Sequence, residues 1–300
     1  MTIAADRRTG GPAGGSVTVT DLLAAAERRL TRAGIAEPRR EALTLWAALT
    51  RTSPGTAWAQ RGAAVMATVE RDYADAVARL AAGIPIAYAA GTAAFRSLEL
   101  DVDARVLIPR PETEGLVEHV LDWCRARGRW GVAADVGTGS GCIALSLASE
   151  GAFDRVIATD LSEAALALAT RNAAAVAPRT PVEFRAGDLL WSLGPEQVDV
   201  LVSNPPYVTA EEWAGLDPGV REHEPRMALV AGPDGLAHTG ALLRQAGGRL
   251  RDGGLLALEV DCRRAGQVLA LARAHGWASA RIELDLFGRE RYLLATRETG

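Results

Sequence analysis

The sequence predicts an α/β fold: an open, mostly parallel sheet of seven strands covered by helices, preceded by a small helical domain and a hairpin linker. Three observations lead there. From about Trp130 onward, short runs rich in Val, Ile and Leu alternate with helical patterns, the signature of strands joined by crossover helices. The glycine-rich stretch Gly137–Gly141 falls where the first of these strands turns into a helix. Residues 21–83, by contrast, show only the three-to-four apolar spacing of helices.

Taken in order, residues 1–16 are rich in Gly, Arg and Ala and contain no apolar segment, so they read as a disordered leader and not as a signal peptide. Residues 17–90 read as a helical bundle. Asp21 is placed to cap a helix carrying Leu22, Leu23, Ala26 and Leu30, which Gly34 ends. Glu41–Leu49 and Val69–Leu80 give two more helices. Arg28, Arg29, Arg32, Arg39 and Arg40 form either a solvated face or a docking surface for a partner.

Residues 91–111 alternate partially, with Phe95, Leu98, Leu100, Val102, Val106 and Ile108 among polar positions, and predict a hairpin linker. Pro109 and Pro111 set the entry to a helix near Glu112, where the domain spanning residues 112–300 begins. Its seven expected strands are Val132–Val136, Val156–Thr159, Val182–Phe184, Val198–Val202, Leu255–Val260, Ala280–Leu286 and Tyr292–Thr296. Helices are expected at Cys142–Ser149, Glu163–Ala175, Leu236–Leu250 and Ala265–His275. A short turn joins the last two strands, so one of them runs antiparallel.

Composition narrows the function. The 300 residues carry a formal charge of -4, which gives none of the basic field that marks most nucleic-acid binders. Cys124, Cys142 and Cys262 lie far apart, and His119, His223, His238 and His275 are scattered, so neither disulfide nor metal site is expected. No apolar run is long enough to span a bilayer, and the chain reads as cytoplasmic.

Gly137, Thr138, Gly139, Ser140 and Gly141 form a nucleotide-type loop, a moderate signal when taken alone. Glycines there allow a tight turn and let a ligand approach the backbone. Asp160 ends the second strand, where a carboxylate can accept both hydroxyls of a ribose. Asp188, after the third strand, is placed either to bond an adenine amino group or to cap a turn, with Leu189 beside it. These residues suit an adenosine-bearing cofactor, a nicotinamide dinucleotide and S-adenosylmethionine alike.

Asn204-Pro205-Pro206-Tyr207, after the fourth strand, separates the two. Consecutive prolines stop the strand and stiffen the backbone beside the cofactor crevice. An amide or aromatic amino nitrogen is a poor nucleophile with a delocalised lone pair. The Asn204 side-chain oxygen can accept one of its N–H bonds and the Pro205 carbonyl the other, while Tyr207 can stack on the planar group. Attack on a sulfonium methyl then needs placement more than a strong base.

On these residues the chain resembles the release-factor glutamine N5-methyltransferases, the HemK/PrmC family, over roughly residues 20–298. Pro85-Ile86-Ala87-Tyr88 through Phe95, Leu107 through Glu114, Asp135 through Gly141 and Asn204 to Tyr207 carry the resemblance; Glu224-Pro225, Gly235-Leu236, Glu259 and Asp285–Arg291 match more weakly. It implies a class I, Rossmann-like methyltransferase domain that uses S-adenosyl-L-methionine and releases S-adenosyl-L-homocysteine. The implied substrate is the glutamine of the Gly-Gly-Gln loop of class 1 peptide chain release factors, met by the N-terminal bundle, with no membrane or direct nucleic-acid contact. The resemblance also assigns Phe95, Arg110, Glu112, Thr113 and Glu114 to the substrate side, with Asn204–Tyr207. Two positions depart from the family pattern: Leu189 stands where an aromatic residue is usual, and Asp261 where a glycine is usual.

Four other readings remain. N5-glutamine methylation of another protein, or N6-adenine methylation of nucleic acid, would use the same Asn204–Tyr207 device. A dinucleotide oxidoreductase would explain the glycine loop and Asp160 but not Asn204–Tyr207. A binding protein that keeps cofactor without chemistry would not need Asn204 and Tyr207 intact.

Overall fold

The computed structural model describes residues 16–297, so the leader expected at residues 1–16 lies outside the described residues but for Ser16. The chain divides into two compact units, one ending at Ala93 and one starting at Ala94.

The first unit is helical: α1 (Val19–Arg32), α2 (Pro38–Thr50), α3 (Pro54–Ala59), α4 (Ala67–Ala81) and α5 (Ile86–Ala90). Leu22, Ala26 and Leu30 of α1, Leu45 and Trp46 of α2, and Tyr73, Val77 and Leu80 of α4 share one buried core. Tyr73 sits edge-on to Trp46 and donates its hydroxyl to the Ala42 carbonyl at 2.8 Å, so its one polar atom is satisfied inside the core. The cap of α1 differs from expectation. Thr18 is the capping residue, and Asp21 closes the box from three positions on: its Oδ2 accepts the Thr18 N–H at 2.9 Å. The five arginines singled out above are exposed.

β1 (Thr92–Phe95), which spans the boundary, and β2 (Leu98–Asp101) pair as a two-stranded sheet. Strand structure stops at Asp101, short of the Pro111 expected, because Val102 and Val106 bury their side chains in irregular backbone. There follow α6 (Pro111–Arg127), β3 (Val132–Val136), α7 (Cys142–Glu150), β4 (Arg155–Asp160), α8 (Glu163–Val176), β5 (Val182–Ala186) and β6 (Val198–Ser203). Then come α9 (Ala210–Ala214), α10 (Pro218–His223), α11 (Ala237–Ala246), β7 (Leu250–Glu259), α12 (Ala265–Ala274), β8 (Arg281–Leu284) and β9 (Glu290–Thr296).

The main sheet has seven strands in the order β5-β4-β3-β6-β7-β9-β8. All pairings from β5 to β7 are parallel, and β9 runs antiparallel to both of its neighbours. Side chains alternate between two cores. Ala133, Val200, Val202 and Leu255 join α6 and α7 on one face, and Ala134, Leu201, Leu256 and Leu258 join α11 and α12 on the other. The helix expected over Leu236–Leu250 is shorter. Gly247 and Gly248 end it, and Leu250 already pairs with Val198 in the sheet.

The chain leaves β3 to build β4 and β5 on one side and returns to place β6 on the other. The strand order reverses at β3, and a crevice opens at the carboxyl ends of β3 and β6, where ligands of such sheets bind.

Candidate active site

The glycine loop forms one wall of that crevice. Gly137, Gly139 and Gly141 have φ of 76°, 56° and 85°, a region that costs other residues about 1–2 kcal/mol. A Cβ built on Gly137 or Gly139 would meet no protein atom within 4 Å, so the backbone lies open to the crevice and the glycines answer to conformation. Beneath the loop, the buried Asp135 accepts from Thr138 Oγ1 at 2.6 Å and from the Ala144 N–H at 3.1 Å, tying loop to helix α7. Burial pushes its carboxyl up to about 7.

Asp160 closes the next edge. Its Oδ2 accepts the Gly139 N–H at 2.9 Å and its Oδ1 accepts the Ser162 N–H at 2.8 Å. Each oxygen keeps further acceptor capacity, and burial raises the carboxyl above its ordinary value. Asp188 lies exposed at the start of a short 3-10 turn without capping it through its side chain, so the capping reading is not the one the fold uses. Leu189 follows at φ 46°, half-buried beside the crevice. An open glycine backbone, a carboxylate edge and an apolar side chain fit an adenosine-bearing ligand.

Across the crevice, Asn204, Pro205 and Pro206 leave the end of β6 and line the same cavity. Ser203 anchors the segment by donating Oγ to the Val136 carbonyl at 2.6 Å. Asn204 Nδ2 donates to Thr113 Oγ1 at 3.0 Å, and Thr113 donates to Glu259 Oε2 at 2.7 Å. Tyr207 donates its hydroxyl to the other oxygen of Glu259 at 3.4 Å. Glu259 ends β7, wholly buried, and desolvation pushes its carboxyl up to about 7 against the pull of the Thr113 bond and Arg291.

The Arg110–Glu114 stretch is only partly at the crevice. Arg110 and Thr113 line it. Successive helix positions turn by about 100°, so the neighbours of Thr113 face elsewhere. Glu112 pairs with Arg289 at 2.9 Å, and Glu114 accepts the Arg96 N–H at 2.9 Å. Phe95 is 1% exposed and packs in the core with Leu100 and Leu116; a hairpin aromatic faces the core or a pocket according to register, and here it faces the core. These three residues are therefore not brought to the crevice.

Other residues in or behind the crevice have no role legible in the sequence. Glu224, behind the lining, receives the lining residue Arg110 at 2.6 Å. Met227 and His238 also line the cavity, and His238 Nδ1 is buried without a partner. Their contacts span long stretches of chain, so local spacing carries no trace of them. Among the described residues no group of three His, Cys, Asp or Glu is placed to hold a metal ion, and no helix is long and apolar enough to cross a membrane.

A crevice with a ligand cradle on one side and an oriented amide oxygen on the other can hold a donor and a planar nitrogen face to face. Likeness to known proteins gives the family. A family model described as the PrmC N-terminal domain matches residues 21–91, and one described as the methyltransferase small domain matches residues 94–215. The release factor glutamine methyltransferase of Moorella thermoacetica is 42% identical over 296 residues, covering 94% of this chain and 99% of that protein. The Cereibacter sphaeroides protein of the same name is 39% identical over 275 residues, covering 92% and 97%. Among solved structures, a methyltransferase from Pyrococcus furiosus superposes with TM-score 0.50 at 19% identity over 74% of this chain and 98% of its own. The T. thermophilus 16S rRNA methyltransferase, in complex with AdoMet and guanosine, gives TM-score 0.51 at 18% identity over 69% and 50%. At such identities the structures speak for the fold alone.

Proposed function

The chain belongs to the family of release factor glutamine methyltransferases, and from that premise we propose that it methylates the N5 side-chain amide of the glutamine in the Gly-Gly-Gln loop of class 1 peptide chain release factors. It is an S-adenosylmethionine-dependent methyltransferase. When bound, that cofactor supplies an electrophilic methyl group and leaves as S-adenosylhomocysteine.

The observation that carries the reading is the Asn204 amide, held by Thr113 through Nδ2 and lining the same crevice as the glycine loop and Asp160. Gly137–Gly141 and Asp160 hold the cofactor, with Asp188 and Leu189 on its adenine side. Asn204 Oδ1 and the Pro205 carbonyl accept the two N–H bonds of the glutamine amide and fix its plane. With both protons held by acceptors, the lone pair is less drawn into delocalisation as positive charge grows on nitrogen. The methylated nitrogen then sheds its proton without a strong base. Pro206 stiffens the segment, and Tyr207 packs on the planar group. The N-terminal unit docks the release factor, in the cytoplasm.

The test is transfer from labelled S-adenosylmethionine to a purified release factor, with peptide mass spectrometry to locate the label. Label on the Gly-Gly-Gln glutamine supports the reading. Label on another protein's glutamine, or only on adenine in nucleic acid, replaces the substrate.

A further inference from the structure

We propose that Thr113 and Glu259 are positioning residues for methyl transfer, forming a hydrogen-bond relay from Glu259 through Thr113 that decides which atom of the Asn204 amide faces the substrate. The inference rests on the reading that Asn204 receives the glutamine amide.

An asparagine side chain has an oxygen and an NH2 group of nearly the same shape. Only one orientation is productive. With Oδ1 toward the substrate, it accepts an N–H. Turned over, it presents two donors to another NH2 group and repels it. Something must fix the choice, and three links do so. Glu259 is an acceptor when ionised. Thr113 has one hydroxyl proton, and its Oγ1 lies 2.7 Å from Glu259 Oε2 as the donor. Thr113 Oγ1 therefore meets Asn204 as an acceptor, which draws Nδ2 to it at 3.0 Å. Oδ1 is left for the substrate.

The burial of the relay strengthens it. Thr113 is 2% and Glu259 1% exposed, so water offers no competing partners and each bond is worth more than at the surface. The second oxygen of Glu259 receives Tyr207 at 3.4 Å, so one carboxylate at the end of β7 steadies both ends of the Asn204–Tyr207 segment.

The groups facing Glu259 are Thr113 and Glu112 of α6, Tyr207, Arg291 and Tyr292 of β9, and Cys142 at the start of α7. Arg291 favours the carboxylate, while burial and Glu112 oppose it, and the carboxyl titrates at about 7. A proton on Oε2 would donate to Thr113. The Thr113 hydroxyl would then turn to Asn204 and draw Oδ1 away from the substrate. Protonation of Glu259 thus reverses the relay, and transfer rises with pH through this range.

The experiment measures kcat and KM for release-factor methylation from pH about 6 to about 9, where such a group reports in the rate. The enzymes are the full chain, Thr113→Val, Thr113→Ser and Glu259→Gln, each with cofactor affinity by calorimetry. Thr113→Val, which keeps the shape and loses both bonds, lowers kcat by about tenfold to a hundredfold, the scale of a misplaced reacting group. Its cofactor affinity stays, and Thr113→Ser restores the rate. The wild type shows an acid limb near the Glu259 titration, and Glu259→Gln loses it. Wild-type kcat in Thr113→Val, or an unchanged acid limb in Glu259→Gln, would overturn the relay. If Glu259→Gln fails to fold, the Thr113 pair decides. A wild type that labels no release factor overturns the functional reading and the relay with it; a wild type that labels while the variants keep its rate overturns the relay alone.

Discussion

Glu224 grips the strap before α6 with both carboxylate oxygens: Oε1 meets Arg110 at 2.6 Å, and Oε2 accepts the Ile108 N–H at 3.3 Å. The Glu224 side chain is 1% exposed and that of Arg110 30%, so removing the acid strands a half-buried cation and a backbone donor. Glu224→Ala is expected to cost about 2–3 kcal/mol, below the range for fully buried pairs because Arg110 still reaches water. Glu224→Gln keeps an acceptor and costs less. Urea denaturation of the two variants measures the difference, and equal losses would mean that the charge alone matters.

The glycine loop predicts a split between fold and ligand. Gly139 has φ 56°, and an added Cβ meets nothing in the protein. Gly139→Ala should therefore lose only the strain of the left-handed region, about 1–2 kcal/mol. If the loop holds the cofactor as proposed, the same methyl projects where the cofactor approaches the backbone, and affinity by calorimetry should fall well beyond what the stability change accounts for. Unaltered affinity would place the cofactor away from this loop.

Asn204 and Asp160 separate chemistry from binding. Asn204→Ala should lose most transfer, about a hundredfold or more in kcat, while cofactor affinity stays. Asp160→Ala should weaken cofactor binding first, because its carboxylate borders the loop through Gly139. Single-turnover rates and titration calorimetry on both variants read the two effects apart. Wild-type turnover without Asn204 would remove its proposed role.

What was legible in the sequence followed periodicity. All seven strands of the main sheet were found, the central buried parallel ones because they are apolar runs bounded by turns, though the start of β7 at Leu250 was read as helix. The glycine loop and Asn204–Pro206 were legible because backbone conformation restricts the residue type. The short helices α3, α5, α9 and α10 were not, since five or six residues complete too few turns to show a period. Nor was the destination of a charge. Glu112, Glu114 and Glu224 are alike in sequence, yet each goes to a different arginine or backbone donor, chosen by the fold. Thr113 owes its importance to Glu259, 146 positions away, and no local pattern carries that distance.

Asp135 gives a stability prediction with a definite sign. Burial lifts its carboxyl from 3.8 to about 7, so the folded state binds a proton that the unfolded chain releases. Its contribution is fully present below the unfolded value and is lost as pH rises through about 7. Wild type should therefore gain stability relative to Asp135→Asn as pH is lowered from about 8 to about 5. Glu259 and Asp160 act in the same sense, and His119, lowered by burial, acts in the opposite one; Glu259 and His119 cancel in the difference, while Asp160, whose charge helps to raise Asp135, adds to the same sign. Denaturant melts across this range measure it, and a flat difference would show Asp135 ionised in the folded protein.

Gly115 sets two principles against each other. It lies inside α6, where alanine is favoured over glycine by about 0.5–1 kcal/mol. Yet a Cβ there would stand 2.3 Å from the Tyr292 hydroxyl and 2.9 Å from its ring carbon. That hydroxyl donates to the Glu112 carbonyl at 2.5 Å and holds the first turn of α6 to β9. The ring is 2% exposed in the core and has little room to retreat. Overpacking of this kind costs about 1–3 kcal/mol and outweighs the helix gain, so Gly115→Ala should lower stability. Thr113 lies two residues earlier on the same helix, and a shift of α6 would carry it from Asn204, so transfer should fall further than stability. Adding Tyr292→Phe removes the nearest clashing atom and should recover part of the stability at the expense of the Glu112 bond. A Gly115→Ala protein as stable and active as wild type would show that α6 and β9 can separate without cost to the site.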